Sequence, residues 1–104
     1  MAAQLTDPVV AAFVAALNAG DRDAFFALLT DDATMTDDGS ERDLAAWTDK
    51  EIFSSAGHMD VESVAADGRS LVATYSNSTW GGMRTRWSFT VDGDHISHFD
   101  TGQA

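Results

Sequence analysis

The apolar pattern of this chain changes period once, near residue 57, and that change limits the folds open to it. Ahead of it, Val10, Phe13, Val14 and Leu17 stand at i, i+3, i+4 and i+7, one apolar stripe along a helix. Behind it the apolar residues alternate, cut into pieces by Asp67-Gly68, Gly81-Gly82 and Asp92-Gly93. Each dipeptide supplies the positive φ that a tight hairpin turn needs. The spacing predicts strands over about 58–66, 70–80, 83–91 and 95–101. Helices first and antiparallel strands afterwards make an α+β arrangement.

The front half is punctuated by aspartates. Asp7-Pro8 is a helix start, an N-cap followed by Pro at the first helical position, and Asn18-Ala19-Gly20 is the matching stop. Asp21 caps a second, short helix whose Phe25, Leu28 and Leu29 face inward. Asp31-Asp32 reads as a turn, Thr34-Met35-Thr36 as a short strand and Asp37-Asp38-Gly39 as its break. Ser40 with Asp43 forms a capping-box variant opening a third helix through Leu44, Trp47 and Ile52, closed near 54–57. The order α-α-β-α-β-β-β-β fills one domain over residues 1–104. A sheet of that length must curl over the three helices to bury its apolar face. A curled sheet closed by helices is a cone, and a cone has an interior pocket.

Charge removes several partners. Seventeen acidic residues against 6 basic ones give a formal net charge of −11. Nucleic acid is excluded, because its binding rests on Lys and Arg neutralising phosphates, and so are anionic membrane surfaces. Only Glu41, Glu51 and Glu62 of those 17 acids are Glu, so 17 − 3 leaves 14 Asp. Most of these fall at expected caps and turns, where a short carboxylate bonds backbone N–H groups. With no cysteine there is neither disulfide nor thiolate chemistry. The apolar run 9–17 is too short to span a bilayer and has no basic stretch before it, so a cytoplasmic protein is expected.

Two segments give the chain a family likeness. Phe13-Val14-Ala15-Ala16-Leu17-Asn18-Ala19-Gly20-Asp21, followed by Asp31-Asp32-Ala33-Thr34, resembles the nuclear transport factor 2-like superfamily, and the element order extends the resemblance over the whole chain. Trp87-Ser88-Phe89-Thr90-Val91, then Asp92-Gly93, Ile96 and Phe99, is also typical of it. The ketosteroid isomerase and SnoaL-like polyketide cyclase branches are the nearest in character. The resemblance implies a cone-shaped curved sheet, a homodimer through its convex face, and a pocket for an apolar small molecule.

It also implies site residues. The isomerase branch places its catalytic Asp just after the first short strand, where Asp37 stands; a carboxylate there moves a proton next to a carbonyl. The positions of that branch's two oxyanion donors hold Phe13 and Trp87, neither of which carries the expected hydroxyl or acid. On the last strand the pocket positions correspond to His98, Asp100 and Gly102, and alternation agrees that His98 and Asp100 share a face. Asp37, His98 and Asp100 are therefore the expected acid–base set, walled by Phe13, Met35, Trp47, Trp87 and Phe89, with the Trp87 indole N–H as a remaining donor. The implied reaction is an isomerisation, cyclisation or dehydration of an apolar carbonyl or polycyclic substrate. The missing oxyanion donors leave open the alternative of a non-catalytic binding module with the same cone. No cofactor and no metal are expected, since alternation sends His95 away from His98 and Asp100. Arg84 and Arg86 are expected on the convex face, while the sides taken by Tyr75 and Trp80 stay open.

Overall fold

The computed structural model describes residues 5–79 and 81–104, so the side taken by Trp80 lies outside the described residues. Helix α1 (Pro8–Ala19) starts where the sequence says it must. The Asp7 carboxylate accepts hydrogen bonds from the N–H groups of Val9 at 2.8 Å and Val10 at 3.3 Å, and Gly20 ends the helix at φ 66°. Asp21 caps α2 (Arg22–Ala27) by accepting from the Ala24 N–H. Strands β1 (Leu29–Asp37) and β2 (Ser40–Arg42), helix α3 (Leu44–Thr48) and a π-helical turn (Asp49–Phe53) follow. The chain then runs through β3 (His58–Val64), β4 (Ser70–Asn77), β5 (Gly81–Asp92) and β6 (His95–Gln103).

The six strands form one curved, unclosed sheet in the order β2-β1-β6-β5-β4-β3. All neighbours are antiparallel except β1 and β6, which run parallel. That pair joins the front half of the chain to its last strand and makes the α+β cone.

Three local expectations are corrected. Asp31-Asp32 does not turn the chain; it sits inside β1, where the ladder passes from Leu29↔Ile96 to Thr34↔His98. Five steps along β1 thus match two along β6, and the surplus Asp-rich residues bulge outward into water. Ser40 does not cap the third helix. It belongs to β2, and the Asp43 carboxylate alone accepts from the Ala46 N–H. The strand β2 was missed because its Ser-Glu-Arg sequence is wholly exposed and offers no apolar alternation to read. Asp38 at φ 51° and Gly39 at φ 81° are the two positive-φ residues that join β1 to β2, the signature of a type I′ hairpin.

One side of the sheet packs on α1. Along β5, Thr85, Trp87 and Phe89 are buried while Arg84, Ser88 and Thr90 are exposed, the period-2 pattern that a half-covered strand requires. Phe13 is fully buried and is the hub of the core: its ring lies 4.8 Å from Phe25, 4.9 Å from Phe89 and 5.3 Å from Phe99, centroid to centroid. Among the described residues no helix is long and apolar enough to cross a membrane.

Replacing Phe13 by Ala removes the ring that four aromatic neighbours share. The expected loss is about 3–5 kcal/mol, a large fraction of the roughly 5–15 kcal/mol of a domain this size. Urea unfolding followed by tryptophan fluorescence measures it, and a loss below about 1 kcal/mol is incompatible with this packing.

Candidate active site

A cross-strand row sets up the site. Asp37 on β1 pairs with Thr101 on β6, which pairs with Trp87 on β5. The next row brings Thr85 beside Gln103, and Tyr75 on β4 pairs with Met83 on β5. Trp87, Thr85, Thr101 and Tyr75 are buried on the helix-facing side, and these residues enclose a cavity of about 150 Å³. Trp47 of α3 covers it from above, half-buried, its ring 6.4 Å from that of Trp87 and inclined at 72°.

The polar groups of the cavity are held in place. The Trp47 indole N–H donates to Asp37 Oδ2 at 3.2 Å, fixing the carboxylate against the wall. The backbone N–H of Asp38 donates to the Thr101 carbonyl at 2.8 Å, and Asp38 Oδ1 accepts from the Gln103 N–H at 3.3 Å, so the β1–β2 turn is tied to the end of β6. Trp87 Nε1–H donates to Thr85 Oγ1 at 2.8 Å, and Thr85 in turn donates to the Ala73 carbonyl. The Tyr75 hydroxyl donates to the Glu51 carbonyl in the π-helical turn. Burial, and then the charge of Glu51, push the Tyr75 hydroxyl well above the ordinary tyrosine range, so it stays protonated. A broader surface groove of about 420 Å³ adjoins the cavity across Asp37 and Trp47 and also touches Arg42, Asp43, Lys50 and Glu51.

The structure separates the three expected acid–base residues. Asp37 lines the cavity. His98 and Asp100 do share a face, as alternation requires, but it is the outer one: His98 Nδ1 lies 2.8 Å from Thr34 Oγ1, and Asp100 accepts from the Thr36 hydroxyl and, at 2.5 Å, from Arg86 Nη1. The reason is register. Thr36 pairs with Asp100 and Asp37 with Thr101, so the residue that shares the inner face with Asp37 is Thr101. Phe13, Met35 and Phe89 are likewise corrected as walls; they are buried in the core and do not line the cavity, whereas Trp47 and Trp87 do. The Trp87 N–H is engaged by Thr85.

Asp38, Tyr75, Met83, Thr85, Thr101 and Gln103 line the cavity without having been singled out for it. The Leu71, Ala73, Tyr75 alternation was a usable signal for Tyr75. His95 is a further correction. The ladder steps from Val91↔Ile96 to Thr90↔His98, so Ser97 is an extra residue and His95 and His98 fall on the same face. Among the described residues, no three His, Cys, Asp or Glu side chains cluster closely enough to hold a metal ion.

Gly102 joins the two faces. It lines the cavity, yet a Cβ there would collide with the Asp38 carboxylate and come within 2.9 Å of Arg86 Nη2. Only a residue without a side chain lets Arg86 lie between Asp100 and Asp38. The Asp100 hydrogen bond, more than the nearby charges of Asp38 and Asp37, raises the guanidinium's proton affinity further.

Comparison with known proteins agrees with this fold. A family model described as the SnoaL-like domain matches residues 10–104. Among solved structures, a candidate polyketide cyclase from Sinorhizobium meliloti is 18% identical with a TM-score of 0.75, over 92% of this chain and 94% of that one. A protein of ketosteroid isomerase-like fold from Catenulispora acidiphila, solved in complex with trimethylamine, is 20% identical with a TM-score of 0.71, over 92% of this chain and 85% of that one. A Mycobacterium tuberculosis protein solved with estradiol-17β-hemisuccinate is 16% identical with a TM-score of 0.73, over 89% of this chain and 88% of that one. At these identities the likeness shows the fold. No curated protein matches the sequence.

The outer-face pair carries a pH dependence. Burial raises the Asp100 carboxyl, but hydrogen bonds from Thr36 and Arg86 and the charges of Arg86 and His98 outweigh it, so the group sits below its ordinary 3.8. A folded-state value below the unfolded one adds stability that is complete above the unfolded value and is lost as pH falls through the folded one. Urea midpoints from pH 6 down to 2 are therefore expected to fall more steeply below about pH 4 for the wild type than for Asp100→Asn. Parallel curves would contradict the assignment.

Proposed function

The chain belongs to the SnoaL-like domain family, and from that premise we propose that it is a small-molecule pocket protein in which Asp37 moves a proton on a compact carbonyl substrate. The observation that carries this reading is the Asp37 carboxylate, fixed by the Trp47 N–H on the wall of an aromatic cavity. A carboxylate so placed takes a proton from carbon next to a carbonyl and returns it to another position, which is the proton bookkeeping of an isomerisation or dehydration. Thr101, its register partner, brings a hydroxyl to the same wall. His98 and Asp100 have no part in this step, because they face away.

Size narrows the substrate. Pockets that enclose a drug-sized ligand run from roughly 300 to 1,000 Å³, so about 150 Å³ accepts a single ring or a branched chain and leaves a polycycle mostly outside. The trimethylamine bound by the Catenulispora acidiphila relative is a ligand of that compact kind, while the Mycobacterium tuberculosis relative holds a larger steroid derivative.

A second reading, binding without turnover, is favoured by one observation. The Trp87 N–H and Tyr75 O–H donate to Thr85 and Glu51, so these two donors beside the cavity are engaged with the protein. Each oxyanion donor a carbonyl reaction lacks costs about 10²–10³ in rate. In both readings a second copy of the chain is the expected partner. The outer sheet face, with Arg84 and Arg86 among Thr and Ser hydroxyls, suits it, since Arg is enriched at interfaces.

Thermal-shift screening of compact ketones and enones, followed by proton NMR of the binders, separates the readings. For any substrate turned over, Asp37→Asn is expected to lower kcat by at least about 10² while ligand binding persists. Unchanged turnover in that variant removes Asp37 from the mechanism. Binders that never react, in wild type or variant, establish the binding module.

A further inference from the structure

The charge and surface of the cavity narrow its ligand further. Asp37 and Asp38 line it and, among the described residues, no Lys, Arg or His does. The cation beside this end of the sheet, Arg86, is bound to Asp100 and faces Asp38 across Gly102. In the adjoining groove Arg42 and Lys50 are matched by Asp43 and Glu51. Balancing these charges leaves the cavity itself negative, with Asp37 on its wall, in a protein whose net charge of −11 already draws cations toward it.

The rest of the lining is aromatic. Trp47 and Trp87 meet at 72° with centroids 6.4 Å apart, and Tyr75 lies 5.8 Å from Trp87 at 53°. The three rings are inclined to one another rather than stacked flat; Trp47 is half-buried and offers most of the open ring surface, while Trp87 and Tyr75 are buried behind it. The negative faces of such rings attract a cation, and attract it more strongly where water is excluded. Met83 adds a polarisable thioether side chain.

We propose that this cavity takes a compact organic cation, a tertiary or quaternary ammonium group whose charge lies by Asp37 and whose alkyl groups rest on Trp47, Trp87 and Tyr75. The inference rests on the reading of this cavity as the ligand site, and it holds for a substrate and for a bound ligand alike. Carboxylates on one side and aromatic faces on the other are what a poorly hydrated, diffuse positive charge selects. A strongly hydrated metal ion instead asks for a convergent oxygen shell, and no cluster of that kind occurs among the described residues.

The test compares choline with 3,3-dimethylbutan-1-ol, its neutral carbon counterpart of the same shape. Binding is followed by calorimetry and by tryptophan fluorescence. Choline is expected to bind at least about tenfold more tightly. That preference should shrink in Asp37→Asn and at high salt, while binding of the neutral alcohol changes little. Asn is also tolerated at positive φ, so Asp38→Asn gives a second charge-removing variant that keeps the turn, with circular dichroism as the folding control. Equal or tighter binding of the alcohol overturns the cation inference and leaves the pocket reading standing. If neither compound binds the folded protein, the ligand-site reading falls and takes the inference with it.

Discussion

The parallel pairing of β1 with β6 is the constraint on which the rest of the molecule depends. The chain leaves β1, makes a short outer strand and a helix, and returns through three antiparallel strands before β6 settles against β1. Such a contact carries a large loop-closure cost, since nearly the whole second half of the chain lies between its partners. What offsets the cost is the apolar surface that closes with it. Met35 and Phe99 become register partners, both fully buried, and Phe99 stacks into the same aromatic group as Phe13, Phe25 and Trp87. The core and the site are therefore consequences of one pairing. The register that places Met35 on Phe99 also places Asp37 beside Thr101.

A period of two then divides the chemistry between the faces. From Met35 to Asp37 and from Phe99 to Thr101 the side chains point toward the helices; Thr36 and Asp100 between them point away. A one-residue slip would exchange the two sets and put Asp100 and His98 inside. The buried Met35–Phe99 pair resists that slip, because it would send both side chains into water. The outer set is a polar group of its own, in which Arg86, Asp100, Thr36 and His98 satisfy one another. This explains why a histidine and an aspartate two residues apart, which look like acid–base machinery in the sequence, form a structural cluster.

The sequence showed clearly whatever is decided by neighbouring residues. Asp7 and Pro8, Gly20 and Asp21 act within four or five positions, and the structure uses them as their chemistry predicts. Gly68 and Gly93 take the positive φ expected of them. Gly81-Gly82 is a correction, since both glycines pair with Asn77 and Ser76 inside the β4–β5 ladder instead of forming the turn. Asp37, Trp47 and Trp87, singled out in the sequence, are among the residues around the cavity. What stayed hidden depends on distant partners. The side taken by His98 and Asp100 follows from β1, more than 60 residues away along the chain. The bulge at Ser97, which puts His95 on the same face as His98, is visible only in the ladder with β5. Asp31-Asp32 looks like a turn because two aspartates usually make one, and here the same preference produces an outward bulge inside a strand.

Asp38 shows how a local preference becomes part of a site. A non-glycine residue at φ 51° costs free energy unless its surroundings hold it there. Asn or Gly would fill a type I′ position more easily. Here the backbone is held by the Thr101 carbonyl and the side chain by the Gln103 N–H, so the end of β6 keeps the turn in that conformation. In return the carboxylate stays at the mouth of the cavity, over Gly102 and opposite Arg86, where a neutral Asn would leave the guanidinium with Asp100 alone. The small strain in the β1–β2 turn and the missing side chain at Gly102 are therefore two sides of one arrangement. It keeps Arg86 occupied on the outer face, so that this guanidinium does not offset the charge of Asp37 on the cavity wall.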